Sequence, residues 1–97
     1  MPLTTQSRRE LTKAAHALHP IVIIGNDGIT QTVLAEIDRA LFDHELIKIR
    51  IQGSHDKVQK KAMAEEFCLQ LKAEFLRIIG HIVIIYRPSN KKKTKKA

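Results

Sequence analysis

Leu11, Ala14, Ala15 and Leu18 stand at i, i+3, i+4 and i+7, the apolar stripe of a short amphipathic helix. Pro20 predicts its end, because a proline ring disfavours helical geometry in the residue before it. On the same helix Arg9, Lys13 and His16 recur at i, i+4 and i+7, which predicts one exposed basic face. Ile21-Val22-Ile23-Ile24 is β-branched, continuously apolar and closed by Gly25, the pattern of a strand covered on both faces. After Gly25-Asn26-Asp27-Gly28-Ile29, Thr30 suits the N-cap of a second helix. Val33, Leu34, Ile37 and Leu41 form its stripe, with Glu36, Asp38 and Arg39 outside it.

From Leu46 to Ile51 the period changes to two. Ile47, Ile49 and Ile51 face one way, Lys48 and Arg50 the other, so this strand has one solvated face. Gly53-Ser54 turns the chain. Residues 56–72 have the composition of a helix but a less tidy stripe, which leaves its rotation open. Phe75–Ile79 and Ile82–Arg87 read as two strands joined by a tight Gly80-His81 turn, and Pro88 closes the pattern. The predicted order is αβαβαββ, a small α/β sandwich in a single domain over residues 1–90, followed by a flexible lysine-rich tail at 91–97.

Length limits what such a domain can do. A chain of 97 residues buries roughly 60–65% of its unfolded surface, one modest core with little room for an enclosed active site. The net charge is +7, but five of the 17 basic residues lie in 91–97, which leaves 12 against 10 acids, or +2, in residues 1–90. The tail supplies most of the positive field, and that balance suits a polyanion, nucleic acid before anionic membrane. A single cysteine, Cys68, rules out an intrachain disulfide and gives no support to an oxidising compartment. The first ten residues lack a hydrophobic signal core, and no apolar run approaches the roughly 20 residues of a membrane span, so a cytoplasmic protein without membrane contact is expected.

The chemistry on offer is binding rather than catalysis. Five histidines are scattered without paired cysteines, Glu65 and Glu66 are adjacent and diverge on a helix, and Cys68 sits in an apolar setting as an inert thiol. No acid–base, metal or cofactor set emerges, so a non-enzyme is expected. The G-x-x-G between a strand and a helix start has two readings. Glycines there allow a phosphate close to the backbone amides, as in domains that clamp nucleic acid with such a loop, or they simply make a turn. Basic residues on the first helix (Arg8, Arg9, Lys13), on a strand face (Lys48, Arg50) and in the tail (Lys91, Lys92, Lys93) favour RNA or DNA as the partner. Phe42, Phe67, Phe75 and Tyr86 are the only aromatics, which argues against an aromatic stacking platform and for recognition of backbone and shape.

These residues resemble a known family. Leu18-His19-Pro20, Ile24-Gly25-Asn26-Asp27-Gly28-Ile29-Thr30, Ala40-Leu41-Phe42-Asp43-His44-Glu45-Leu46-Ile47-Lys48 and Ile85-Tyr86-Arg87-Pro88 together resemble the CRM domain (chloroplast RNA splicing and ribosome maturation) in its stand-alone bacterial, YhbY-like form, over roughly residues 3–88. The resemblance implies a four-stranded mixed sheet packed with three helices, similar to the C-terminal domain of translation initiation factor three. It also implies association with ribosomal RNA in precursors of the large ribosomal subunit. Two departures from the family pattern stand out: Asp27, which would repel phosphate, and Leu71-Lys72-Ala73, where a Thr-Gly-Ala turn is usual. The combined expectation is a monomeric RNA-binding protein contacting RNA through Arg8, Arg9 and Lys13, through Gly25, Asn26, Asp27, Gly28 and Thr30, through Lys48 and Arg50, and through Lys91, Lys92 and Lys93. A protein–protein interaction module, with non-specific RNA affinity from the tail, is the alternative.

Overall fold

Helix α1 (Thr5–Ala15) begins where Thr4 can cap it, the Thr4 hydroxyl accepting from the Ser7 N–H at 3.0 Å. This computed structural model describes residues 4–53 and 55–88; Lys91, Lys92 and Lys93 lie outside the described residues. The helix stops at Ala15, short of Pro20. The N–H groups of His16, Ala17 and Leu18 reach back only three residues, to Lys13, Ala14 and Ala15, and the chain unwinds. The predicted stripe is correspondingly shortened: Ala15 is fully buried, whereas Ala14 and Leu18 are exposed.

Strand β1 (Val22–Ile24) follows, and here the expectation of two covered faces is corrected. Val22 and Ile24 are buried but Ile23 between them is 54% exposed. The reason is the reach of α1, whose eleven residues pack mainly on other strands. Helix α2 (Gln31–His44) starts as predicted, with the Thr30 hydroxyl accepting from the Val33 N–H at 3.1 Å. It ends at Glu45, held at φ +67, whose N–H donates to the Leu41 carbonyl and whose own carbonyl accepts from Arg87.

Strand β2 (Leu46–Ile51) buries Ile47, Ile49 and Ile51 and turns Lys48 and Arg50 to the other face, as its alternation required. Helix α3 (Lys57–Leu71) opens on a reciprocal cap between Asp56 and Gln59, with bonds of 2.8 and 2.9 Å. Its buried positions are Lys60, Ala64, Phe67 and Cys68. The stripe was illegible in sequence because a lysine occupies its first position. Lys60 buries its stem and donates from Nζ to the Gly80 carbonyl at 2.9 Å.

Strands β3 (Glu74–Ile79) and β4 (Ile82–Tyr86) make the predicted hairpin, with Gly80 at φ +58 in the turn. The sheet order is β1-β2-β4-β3, with β1 parallel to β2 and the other pairs antiparallel, the expected four-stranded mixed sheet. Helices α2 and α3 cover one face, over a core that includes Ile37, Leu41, Ile49, Phe67 and Val83. Helix α1 lies on the opposite face against β2, β3 and β4, where Ala15 and Ile84 are fully buried.

The departure at Leu71-Lys72-Ala73 has a structural consequence. Lys72 sits in the left-handed region at φ 58, ψ 42, the helix-ending conformation in which a β-carbon is crowded and glycine is favoured. Lys72→Gly is therefore expected to stabilise the fold by about 0.5–1 kcal/mol. Thermal unfolding checks it: the melting temperature should rise by about 4 °C in a domain of this size.

Candidate nucleic-acid interface

The basic face of α1 forms one wall of an open groove of about 610 Å³, with Arg8, Arg9 and Lys13 on the helix, His16 at its C-terminal cap, and Leu76 and Arg77 on β3. Arg8, Arg9 and Lys13, the basic residues singled out on the first helix, thus line one groove, but they are not equivalent. The Arg8 guanidinium donates to the Phe75 carbonyl and lies 3.7 Å from the Glu74 carboxylate, so it pins α1 to the edge strand. Arg9 and Lys13 are exposed and have no protein partner among the described residues.

Arg77 completes the cluster, and sequence reasoning missed it. Strict alternation along β3 would put Phe75 and Arg77 on the same face. The pairing instead runs from Phe75↔Ile85 to Arg77↔Ile84, so Leu76 is an extra residue in a β-bulge. The bulge sends Arg77 to the α1 face while returning Ile78 to the core. Phe75 and Ile78, three residues apart, both pack on the core, which period two cannot produce.

Lys48 and Arg50 share the α1 face of the sheet but differ in freedom. Lys48 is half-buried and donates from Nζ to the Leu18 carbonyl at 3.1 Å, tying down the chain after α1. Arg50 is exposed and has no partner among the described residues. Beyond Ile24 the G-x-x-G loop begins. Gly28 adopts φ +71 and its N–H closes a turn on the Gly25 carbonyl at 3.1 Å. Gly25 needs no glycine geometry, and a β-carbon there would meet nothing within 4 Å. The loop is braced by the segment after β2: His55 Nε2 lies 3.3 Å from the Gly25 carbonyl, and Gly53, at φ +93, packs directly on Asn26.

Asp27 is exposed at the loop tip, and the cap of α2 is Thr30, not Asp27. Thr30 thus spends its hydroxyl on the helix. A carboxylate in this loop opposes an approaching phosphate by Coulomb repulsion alone, without a compensating structural role at the helix start. Asp27→Lys is expected to tighten RNA binding about threefold to tenfold at low salt, with the gain shrinking as screening increases and the melting temperature unchanged. Affinity measured at two ionic strengths, with a melt of the same protein, checks both parts.

Other candidate chemistry is quiet. Cys68 is buried, and burial, with the charges of Glu74 and Glu65 adding to it, pushes its thiol up to about 12, which makes it a poor nucleophile. Among the described residues no group of three or more His, Cys, Asp or Glu side chains could hold a metal ion, and no helix is long and apolar enough to cross a membrane. His19 and His44 line a separate apolar cavity of about 440 Å³ with Leu18, Ile21 and Leu46.

Residues 3–87 match the CRS1/YhbY (CRM) domain family. The chain is 41% identical over 91 residues to a protein of Haemophilus influenzae named an RNA-binding protein, covering 94% of this chain and 91% of that one. It is 34% identical over 91 residues to a Pseudomonas aeruginosa protein named a probable RNA-binding protein, covering 94% and 86%. The solution structure of a Staphylococcus aureus protein to which RNA binding is ascribed superposes with a TM-score of 0.82 at 33% identity, over 96% of each chain.

Proposed function

Because the chain belongs to the CRS1/YhbY (CRM) domain family, we propose that it binds RNA, and that its target is ribosomal RNA in precursors of the large ribosomal subunit. The observation that carries RNA binding is the groove of α1 and β3, where Arg9, Lys13 and Arg77 converge without an ion-pair partner among the described residues. Cations held at a surface and left unpaired are matched by the phosphates of a polyanion, whose binding releases condensed counterions. The names of the relatives point the same way. The protein acts as a binding factor rather than an enzyme, needs no cofactor and works as a monomer. Contacts run from the groove past Arg50 to the G-x-x-G loop, with the lysines of 91–97 adding sequence-independent affinity.

The ribosomal part has its own test. In a sucrose gradient of cell lysate at low salt, the protein is expected to sediment with particles of large-subunit size or smaller precursors of it, and to move to the top of the gradient at high salt. Sedimentation as free protein at both salts would remove the ribosomal target.

A further inference from the structure

Strand register sets Ile23, Arg50, Ile82 and Ile79 in one row across all four strands, since Ile23 pairs with Arg50, Arg50 with Ile82 and Ile82 with Ile79. The row faces the α1 side, because the neighbours Val22, Ile49, Val83 and Ile78 all belong to the opposite, α2–α3 core. Helix α1 does not reach it. One row back along the strands Ile84 is fully buried, whereas Ile23 is 54% and Ile79 46% exposed, Ile82 is half-buried and Arg50 lies open between them. A sheet face that sets isoleucines in water beside free arginines is unusual for a surface with nothing to bind.

Charge selects the occupant. The row carries Arg50, the adjoining Lys48–Ile84–Arg77 row carries two more cations, and neither row holds an acid. The row also joins the two ends of the candidate interface: Arg77 belongs to the groove of α1, and Ile24, next to Ile23, leads straight into Gly25. An apolar row can bury only the flat faces of bases, and a duplex hides those faces within its stack, so the row favours RNA whose bases are unstacked.

We infer that the Ile23–Arg50–Ile82–Ile79 row seats a short unpaired segment of RNA, the isoleucines receiving base faces while Arg50 and Arg77 hold its phosphates. This inference rests on the RNA-binding reading above and narrows its substrate to single-stranded or looped RNA. Four strands about 4.8 Å apart give a platform for roughly two or three bases, the number that sheet-borne stacking surfaces take elsewhere. Aliphatic side chains replace the aromatic platform that the composition lacks.

The test compares an unstructured RNA oligonucleotide with a duplex carrying the same number of phosphates, each titrated against the full chain by fluorescence anisotropy. The parent should prefer the unpaired RNA by roughly tenfold, and the paired substitution Ile23→Thr, Ile79→Thr should weaken unpaired RNA by about fivefold while leaving duplex affinity and the salt slope unchanged. Threonine keeps β-branching at two exposed positions, so the melt should hold. A second measurement needs no variant: the methyl resonances of Ile23, Ile79 and Ile82 should shift on adding the unpaired oligonucleotide, ahead of those of buried Ile37. Equal affinity of the parent for both RNAs, an unaltered preference in the variant, or silent methyl groups would overturn the inference while leaving RNA binding intact. Loss of both RNAs in the parent would overturn RNA binding itself. A parent dimer that the threonine substitutions dissociate would make the row a self-contact and overturn the inference.

Discussion

Replacing Arg9, Lys13 and Arg77 together by alanine is expected to weaken RNA binding by a factor on the order of 10²–10³ at low salt and to flatten its salt dependence. The reasoning is electrostatic. Each cation that meets a phosphate releases a condensed counterion, so three lost contacts should make the slope of log affinity against log salt shallower by about 2–3. All three side chains are exposed and unpaired among the described residues, so their removal should leave the melt within about 0.5 kcal/mol of the parent. Arg8→Ala should behave in the opposite way. Its guanidinium is committed to the Phe75 carbonyl and lies beside Glu74, so the substitution should cost about 1 kcal/mol of stability and much less affinity. Titrations at three salt concentrations, with melts of both proteins, separate the two roles. An unchanged salt slope in the triple variant would move the phosphate contacts away from this groove.

Gly53→Ala is expected to be the most damaging of the glycine substitutions, at about 2 kcal/mol, although Gly53 lies outside the G-x-x-G motif. Its φ of +93 is one that side-chain-bearing residues rarely adopt. A β-carbon there would also come within 2.9 Å of the Asn26 side-chain carbon and 3.3 Å of the Asn26 Cα, so the loop must move. A loss of that size should lower the melting temperature by roughly 8–15 °C and weaken RNA binding through the displaced loop. Gly28→Ala should cost less, about 1 kcal/mol, since its φ of +71 is strained for alanine but the nearest atom, Met63 Cε, is 3.9 Å away. Gly25→Ala should be close to neutral for folding, having neither positive φ nor a near neighbour. This ranking corrects the symmetrical reading of the two motif glycines. Only the second carries a backbone requirement, and the steric demand on the loop comes from a glycine some twenty-five positions further on. Equal melts for Gly53→Ala and Gly25→Ala would show that the loop tolerates a β-carbon where it packs on the β2–α3 segment.

Much of the architecture was legible without coordinates because it depends on local periods and local hydrogen bonds. The element order αβαβαββ, the alternation along Leu46–Ile51, the Thr30 cap and the hairpin at Gly80 each follow from a few consecutive residues. The basic face of α1 was equally a matter of spacing, since positions four apart on a helix must adjoin. Whether a face is covered, and whether a charge is free, depends instead on which segments lie against each other. That is why Ile23 was assigned to a buried strand and is exposed: the run Ile21–Ile24 carries no mark of how far α1 extends across the sheet. Arg8 and Lys48 read as free cations and are tied to backbone carbonyls distant in sequence. Arg77 lay in a predicted strand without an assigned role, and a one-residue bulge turns it onto the groove beside Arg9 and Lys13. The sequence by itself determined the fold class, the start of α2 and the basic sign of the candidate interface, because periodicity, capping and net charge act over a few residues or over the whole chain. Tertiary structure alone decided which cations remain unpaired and which isoleucines meet water, because both depend on contacts between segments whose separation along the chain leaves no local trace.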